Sequence, residues 1–536
     1  MNGHGGDLAI ATLSKFGVAE IFTLSGGHIF PFYDACVKQE LAIYDVRHEQ
    51  TATFAAEGMA KMTRRPGVAV LTAGPGVTNG VSAMTTASFN GSPLVVLGGR
   101  APQSRWGAGS LQELDHVPIV SSIMKSAATA VATTEIPKVV GSAVSTALTP
   151  HRGPVFVDFP MDVLFATASD VLVDDAMSVR GAAPEPSDVD IATSLIRSAA
   201  RPCLVAGSDV YWDGAWQGLR DCVEALRIPC FANGLGRGCL PADHELAFSR
   251  TRSMLKEADV VVVVGTPLDF RLSFGRFGSA RVVHIVDAAD NRAGLVPDAV
   301  SVAGDIGEVL EGLMAQGGPD VSREPWITAL REKERAARSQ EAELLNSSAE
   351  PIHPARVYGE LSRRLSRDAV VIGDGGDFVS WAGRLIDSYQ PGCWMDPGPY
   401  GCLGTGLGYA MAARVAHPDR QVVLMLGDGA AGFSLMDVDS LVRHGLPVVM
   451  VVGNNGIWGL EKHPMRALYG YDVAADLQPE CRYHDVVAAL GGAGELVRRV
   501  DEIGPAFDRA FASGVPYVIN VALDPEAVYP RSSNLA

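Results

Sequence analysis

At 536 residues, 47% of them hydrophobic, the chain has material for about three domains of roughly 150 residues, each with its own core. A net charge of −17 without any Lys/Arg run excludes a nucleic acid or other polyanion as the main partner, and leaves room only for small anions at local sites. Eight cysteines without Cys-x-x-Cys spacing, no basic-then-apolar leader and no 18-residue apolar run point to a reducing cytoplasm, with no zinc site, disulfide framework or membrane span.

In chain order, the first strand predictions are EIFTL (20–24), AIYDV (42–46), GVAVLTAG (67–74), PLVVLGG (93–99) and PVFVDFP (154–160), each followed by glycine or a helical pattern. A polar, Pro-rich stretch at 178–190 reads as a linker. A second block carries PCLVAG (202–207), IPCFANG (228–234), VVVVVG (260–265) and VVHIVD (282–287), and the charged helical run REKERAARSQEAELL (331–345) separates it from a third. That block holds AVVIGDGG (369–376), QVVLMLGDG (421–429), PVVMVVGNN (447–455) and PYVINVAL (516–523). The fold class is α/β, with three open parallel-sheet domains over 1–170, 186–330 and 350–536. Strand, Gly-rich turn and helix recur in the outer blocks, as GVAVLTAGPGVTNG and QVVLMLGDGAAGF, which suggests a duplicated domain.

The strongest chemical signal is Gly427-Asp428-Gly429 after one apolar strand and Asn455, 27 residues after Asp428, after another. Two strand ends would bring a carboxylate and an amide oxygen to one carboxyl edge, where open α/β sheets bind ligands. Hard oxygens there suit Mg²⁺ or Ca²⁺ bridging phosphates, and the glycines let backbone N–H groups approach. Asp-Gly and Asn-Gly are also common turn dipeptides, so each alone reads equally as a turn.

With this spacing the pair resembles the diphosphate–metal motif of thiamine-diphosphate (ThDP) enzymes, and the resemblance extends over essentially the whole chain as pyrimidine-binding, central and diphosphate-binding domains. It implies Asp428, Asn455 and the Ile457 carbonyl as metal ligands, with Gly427, Gly429 and Ala430 along the diphosphate. Arg47-His48-Glu49-Gln50 followed by FAAEGMAK matches the family's catalytic Glu, placing Glu49 on the aminopyrimidine nitrogen; otherwise it is a first-turn Glu favoured by the helix dipole. GPYGCLGTGLGYAM (398–411) puts Leu403 where the family has its cofactor-bending wedge and Gly401 where a carbonyl accepts from the aminopyrimidine; Leu403 otherwise reads as ordinary core.

On the substrate side, Gln112 and His28 match positions near the substrate carbonyl in related lyases and synthases, although His28 equally reads as a cap or packing residue. Glu461 falls at a proton-relay position, or is a surface Glu beside Lys462. Acetolactate synthases carry Gln-Trp-Gln where this chain has His463-Pro464-Met465. The Arg252-Ser253 pair and its surroundings look more like oxalyl-CoA decarboxylases and 2-hydroxyacyl-CoA lyases, an Arg there clamping a CoA phosphate or forming a surface ion pair. The tail, with Arg531 and Asn534, resembles lyase tails that close over acyl-CoA, or is frayed. Asp287 would face the ribose of ADP, of CoA or of FAD in the central domain, or cap a turn.

The resemblance thus implies first a 2-hydroxyacyl-CoA lyase releasing formyl-CoA and an aldehyde or ketone, with Glu49, His28, Gln112 and Glu461 catalytic. The alternative is an acetolactate-synthase-like carboligase acting on pyruvate. A non-catalytic ThDP-binding protein is the alternative of another class. The family's shared sites imply a homo-oligomer, with a dimer as the minimum and a tetramer as the expectation.

Overall fold

The computed structural model describes residues 1–175, 179–289, 296 and 298–530. The first sheet contains β1 (Glu20–Thr23), β2 (Ala42–Asp45), β3 (Gly67–Leu71), β4 (Leu94–Arg100), β5 (Ser126–Thr129) and β6 (Val155–Pro160). The second contains β7 (Pro202–Ala206), β8 (Cys230–Ala232), β9 (Val260–Val264), β10 (Arg281–Val286) and β11 (Val300–Ala303). The third contains β12 (Val370–Asp374), β13 (Trp394–Met395), β14 (Val422–Gly427), β15 (Val449–Asn454), β16 (Ala493–Val497) and β17 (Tyr517–Ala522).

Every neighbouring pair in these three sheets is parallel, as the expected α/β class requires. The central strands read as near-continuous apolar runs because helices cover both faces: the five valines of β9 are all buried. The first sheet runs β2-β1-β3-β4-β6-β5 and the third β13-β12-β14-β15-β17-β16, the same path through space. The outer blocks are therefore one architecture used twice.

They are joined by helix α1 (Glu49–Thr63) against α2 (Thr405–Ala416). Both are rich in Ala, Gly and Thr, so their backbones approach closely: a Cβ on Gly58 would stand 2.9 Å from that of Ala412, and one on Gly408 2.7 Å from that of Phe54. Inside this seam Lys61 Nζ lies 3.0 Å from Glu57 Oε1 and donates to Tyr409 Oη at 2.8 Å, while Tyr409 donates to Glu57 Oε2 at 2.7 Å. Asn90 and Ser92 donate to the same Glu57 carboxylate, so a buried ion pair is fully hydrogen-bonded.

Helix Pro186–Ser198 opens the central block, and the 22-residue helix Glu324–Leu345, which includes the expected charged linker, leads out of it. No helix among the described residues is long and apolar enough to cross a membrane.

Candidate active site

β14 and β15 are neighbours, with Gly427 opposite Gly453, so Asp428 and Asn455 leave adjacent strands at one carboxyl edge. Asp428 begins helix α3 (Asp428–Ser434) and is 4% exposed. Its Oδ1 accepts from Gly429 N at 3.0 Å and its Oδ2 from Gly456 N at 2.7 Å. Burial pushes its pKa up to about 6 against the pull of these N–H groups. Asn455 Oδ1 accepts from Ile457 N at 3.3 Å.

A cleft of about 530 Å³ takes in Gly401, Leu403, Gly427, Asp428, Gly429, Ala430, Asn455, Ile457 and Glu461. A carboxylate and an amide oxygen on neighbouring strand ends, among small residues that leave main-chain N–H groups open, form a donor set that fits a hard divalent cation carrying a diphosphate. Glu461 stands in the first turn of α4 (Gly459–Tyr469) at the rim, and its neighbour Lys462 is held by Asp472 and Asp476.

The wedge position is supported from behind. A Cβ on Gly375 would lie 2.0 Å from Leu403 Cδ2, so Leu403 rests directly on that peptide. Asp374, at the end of β12 and wholly buried, accepts from Gly404 N at 3.0 Å and Gly406 N at 2.8 Å. Burial pushes its pKa up to about 6, opposed by those donors. It both caps α2 and fixes the turn carrying Gly401 and Leu403. The sequence reading missed it, its one signal being an Asp before Gly-Gly at a strand end.

The first sheet carries the other group. Glu49 starts α1 after the cap residue His48 and is 7% exposed, with Asn79 Nδ2 donating to its Oε2 at 3.0 Å. His28 is buried in the short turn Gly27–Ile29, its Nδ1 3.4 Å from Thr72 Oγ1, and burial first, then the charge of His116, keep its pKa low. Gln112 sits at φ 57°, a conformation that non-glycine residues adopt mainly where the surroundings over-determine them. The structure brings Glu49, His28 and Gln112 to one carboxyl edge, and none of the three lines the cleft holding Asp428 in the same chain.

Arg252 lies in a cavity of about 130 Å³ shared with Arg237 and Arg250, and its Nη2 is enclosed without a hydrogen-bond partner. Among the described residues it makes no ion pair, which corrects that expectation; Ser253 beside it is exposed. Arg531 and Asn534 lie outside the described residues. Asp287 faces His151 Nδ1 of the first block at 3.1 Å.

Three family models match in order: the N-terminal TPP (thiamine pyrophosphate) binding domain of thiamine pyrophosphate enzymes over residues 3–119, the central domain over 189–313 and the C-terminal TPP binding domain over 374–521. The chain belongs to the thiamine-diphosphate enzyme family. In this ThDP enzyme the two outer sheets of like path are the N- and C-terminal cofactor domains, the first containing Glu49 and the last Asp428 and Asn455. It is 53% identical, over 99% of its length and 98% of the relative's, to a probable acetolactate synthase of Mycobacterium bovis and to the acetolactate synthase large subunit IlvG of Mycobacterium tuberculosis. To human 2-hydroxyacyl-CoA lyase 2 it is 34% identical over 93% of this chain and 86% of that protein.

Proposed function

We propose that this ThDP enzyme is a carboligase of acetolactate-synthase type, which decarboxylates a 2-keto acid such as pyruvate and joins the retained fragment to a second carbonyl. The observation that carries this reading is the 53% identity, along nearly the full length of both chains, to proteins named for that reaction. It reverses the order expected from the sequence, where the lyase stood first.

In this reading Asp428, Asn455 and the Ile457 carbonyl hold Mg²⁺ or Ca²⁺, and the peptides at Gly427, Gly429 and Ala430 face the diphosphate. Leu403 supplies apolar bulk behind the cofactor, and the Gly401 carbonyl accepts from its aminopyrimidine. Bound ThDP supplies the electron sink next to the reacting carbonyl. Glu49, nearly out of water, would face the aminopyrimidine nitrogen and pass a proton to or from it. His28, kept neutral, and Gln112 orient the keto acid, and Glu461 exchanges a proton with the reacting fragment from the rim of the cleft. Since Glu49, His28 and Gln112 do not line their own chain's cleft, a second copy of the chain completes each site, making a homodimer the minimum and a tetramer two such pairs.

A second reading, 2-hydroxyacyl-CoA cleavage to formyl-CoA and a carbonyl product, is favoured by Arg252, whose enclosed, unpartnered Nη2 beside two further guanidiniums suits a CoA phosphate. ADP or FAD in the central domain would meet Asp287 already engaged by His151, so no step is assigned to a nucleotide.

The test is a product assay with ThDP and Mg²⁺, offering pyruvate alone, pyruvate with other keto acids or aldehydes, and a 2-hydroxyacyl-CoA. Acetolactate or a mixed acyloin, without thioester cleavage, supports the proposal. Formyl-CoA from the thioester alone installs the second reading, and no product from any donor favours a non-catalytic ThDP-binding protein.

A further inference from the structure

His116 and Asp158 are both wholly buried. Asp158 belongs to β6, and His116 precedes a single helical turn (Val117–Val120). His116 Nδ1 stands 3.0 Å from Asp158 Oδ2, which also accepts from Arg100 Nη1 at 2.9 Å. Arg100 pairs with Asp115 at 2.9 Å and lies 4.1 Å over the Trp106 ring, so the cation is fixed from three sides. Asp158 Oδ1 has no partner among the described residues, which leaves the carboxylate dependent on Arg100 and His116.

On its other edge the imidazole Nε2 accepts from Gly74 N at 2.9 Å. An accepting Nε2 puts the ring proton on Nδ1, donated to Asp158. Gly74 stands at φ 60°, ψ −114°, a backbone that glycine alone holds without strain. A Cβ there would lie 2.9 Å from Gln112 Cβ, so Gln112 is seated on the Gly74 peptide. Two residues before Gly74, Thr72 meets His28. The Arg100–Asp158–His116 chain thus ends on the peptide under Gln112, two residues along the chain from the threonine that meets His28.

We propose that His116 is a positioning residue for the keto-acid face of the site, acting through Gly74 on Gln112 and His28; this rests on the carboligase reading above. It touches neither substrate nor cofactor, and its effect falls on substrate binding rather than on cofactor binding.

The test compares His116→Leu with His116→Gln in the full chain loaded with ThDP and Mg²⁺. A Gln amide can accept from Gly74 N–H and donate to Asp158, whereas Leu can do neither. Loss of a buried hydrogen bond of this kind should raise the donor KM about ten- to a hundredfold in the Leu variant, with ThDP affinity by fluorescence titration unchanged and the Gln variant within a few fold of wild type. His116→Asn, polar but too short to bridge, replaces the Leu variant if that chain does not fold. Hydrogen exchange of the peptide spanning 72–80 supplies a readout independent of the reaction: faster in the Leu variant, restored in the Gln variant. Equal KM in all variants, a Gln variant as impaired as Leu, or unchanged exchange at 72–80 overturns the proposal. Wild-type protein that turns over neither pyruvate nor a 2-hydroxyacyl-CoA defeats the reaction reading instead, and the exchange result still decides the role of His116.

Discussion

The Gln50 side-chain amide donates to the Leu403 carbonyl at 3.1 Å, tying the residue after the catalytic Glu candidate to the wedge candidate of the same chain. That bond ties the first turn of α1 to a residue that lines the diphosphate cleft, while Glu49 beside it does not line that cleft. Two chains exchanging these groups would build two sites, each drawing Glu49 from one and Asp428 from the other.

Shared sites predict complementation. Glu49→Gln and Asp428→Asn proteins should each be nearly inactive, yet dissociated, mixed and reassociated they should recover about a quarter of wild-type activity, since half the dimers are mixed and each has one intact site. No recovery, with mixed dimers demonstrated by mass, would place the whole site within one chain.

The two lesions should also differ in kind. Glu49→Gln should lower kcat about 10²- to 10⁴-fold with ThDP and Mg²⁺ still bound, whereas Asp428→Asn should lose the cofactor itself; calorimetric titration with ThDP and Mg²⁺ separates them. Wild-type turnover by Glu49→Gln would remove its proposed role.

Asp374→Ala should free the Gly404 and Gly406 N–H groups from their only carboxylate. A cost of about 1–3 kcal/mol, read as a lower melting temperature, should come with weaker ThDP binding as the turn bearing Leu403 loosens. Lost stability with unchanged ThDP affinity would make Asp374 a cap alone.

His151 lies 3.1 Å from Asp287 and 3.7 Å from Asp209, with Asp213, Arg152 and Lys125 around them. Burial opposes its charge, but the two carboxylates prevail and hold its pKa up to about 9, while burial and then Asp287 raise that of Asp209. Both folded values exceed the unfolded ones, so the stabilisation is full below the unfolded values and is lost as pH rises through the folded ones. The melting temperature should therefore fall as pH climbs from the ordinary histidine value of 6.5 up to about 9, and His151→Gln should flatten that slope; an identical slope in the variant counts against the assignment.

Arg252→Ala should weaken binding of a CoA thioester more than of pyruvate. Equal effects on both would remove Arg252 from any CoA site.

Much of this was legible in the sequence. Strands in the middle of each sheet announced themselves as Val/Ile/Leu runs, whereas the four strands missed in the three parallel sheets, Ser126–Thr129, Val300–Ala303, Trp394–Met395 and Ala493–Val497, are all sheet edges, and the short antiparallel pair Gly3–His4 with Thr167–Ala168 was missed as well. Edge strands are covered less and carry residues such as SAAT or AGELV that make no apolar run. The diphosphate residues were readable because two strand ends carry them within one stretch of chain. Asp374 and His116 were not, because their roles depend on partners 30 and 42 residues away that no local pattern relates.

The Glu57–Lys61–Tyr409 seam bears on how the protein can be divided. A fragment ending before the third block would strand a carboxylate and an ammonium on an apolar helix face built for close contact, with Tyr409 missing from both. Although the outer blocks look like separable modules, they should melt in one transition, and the first block made alone should be insoluble.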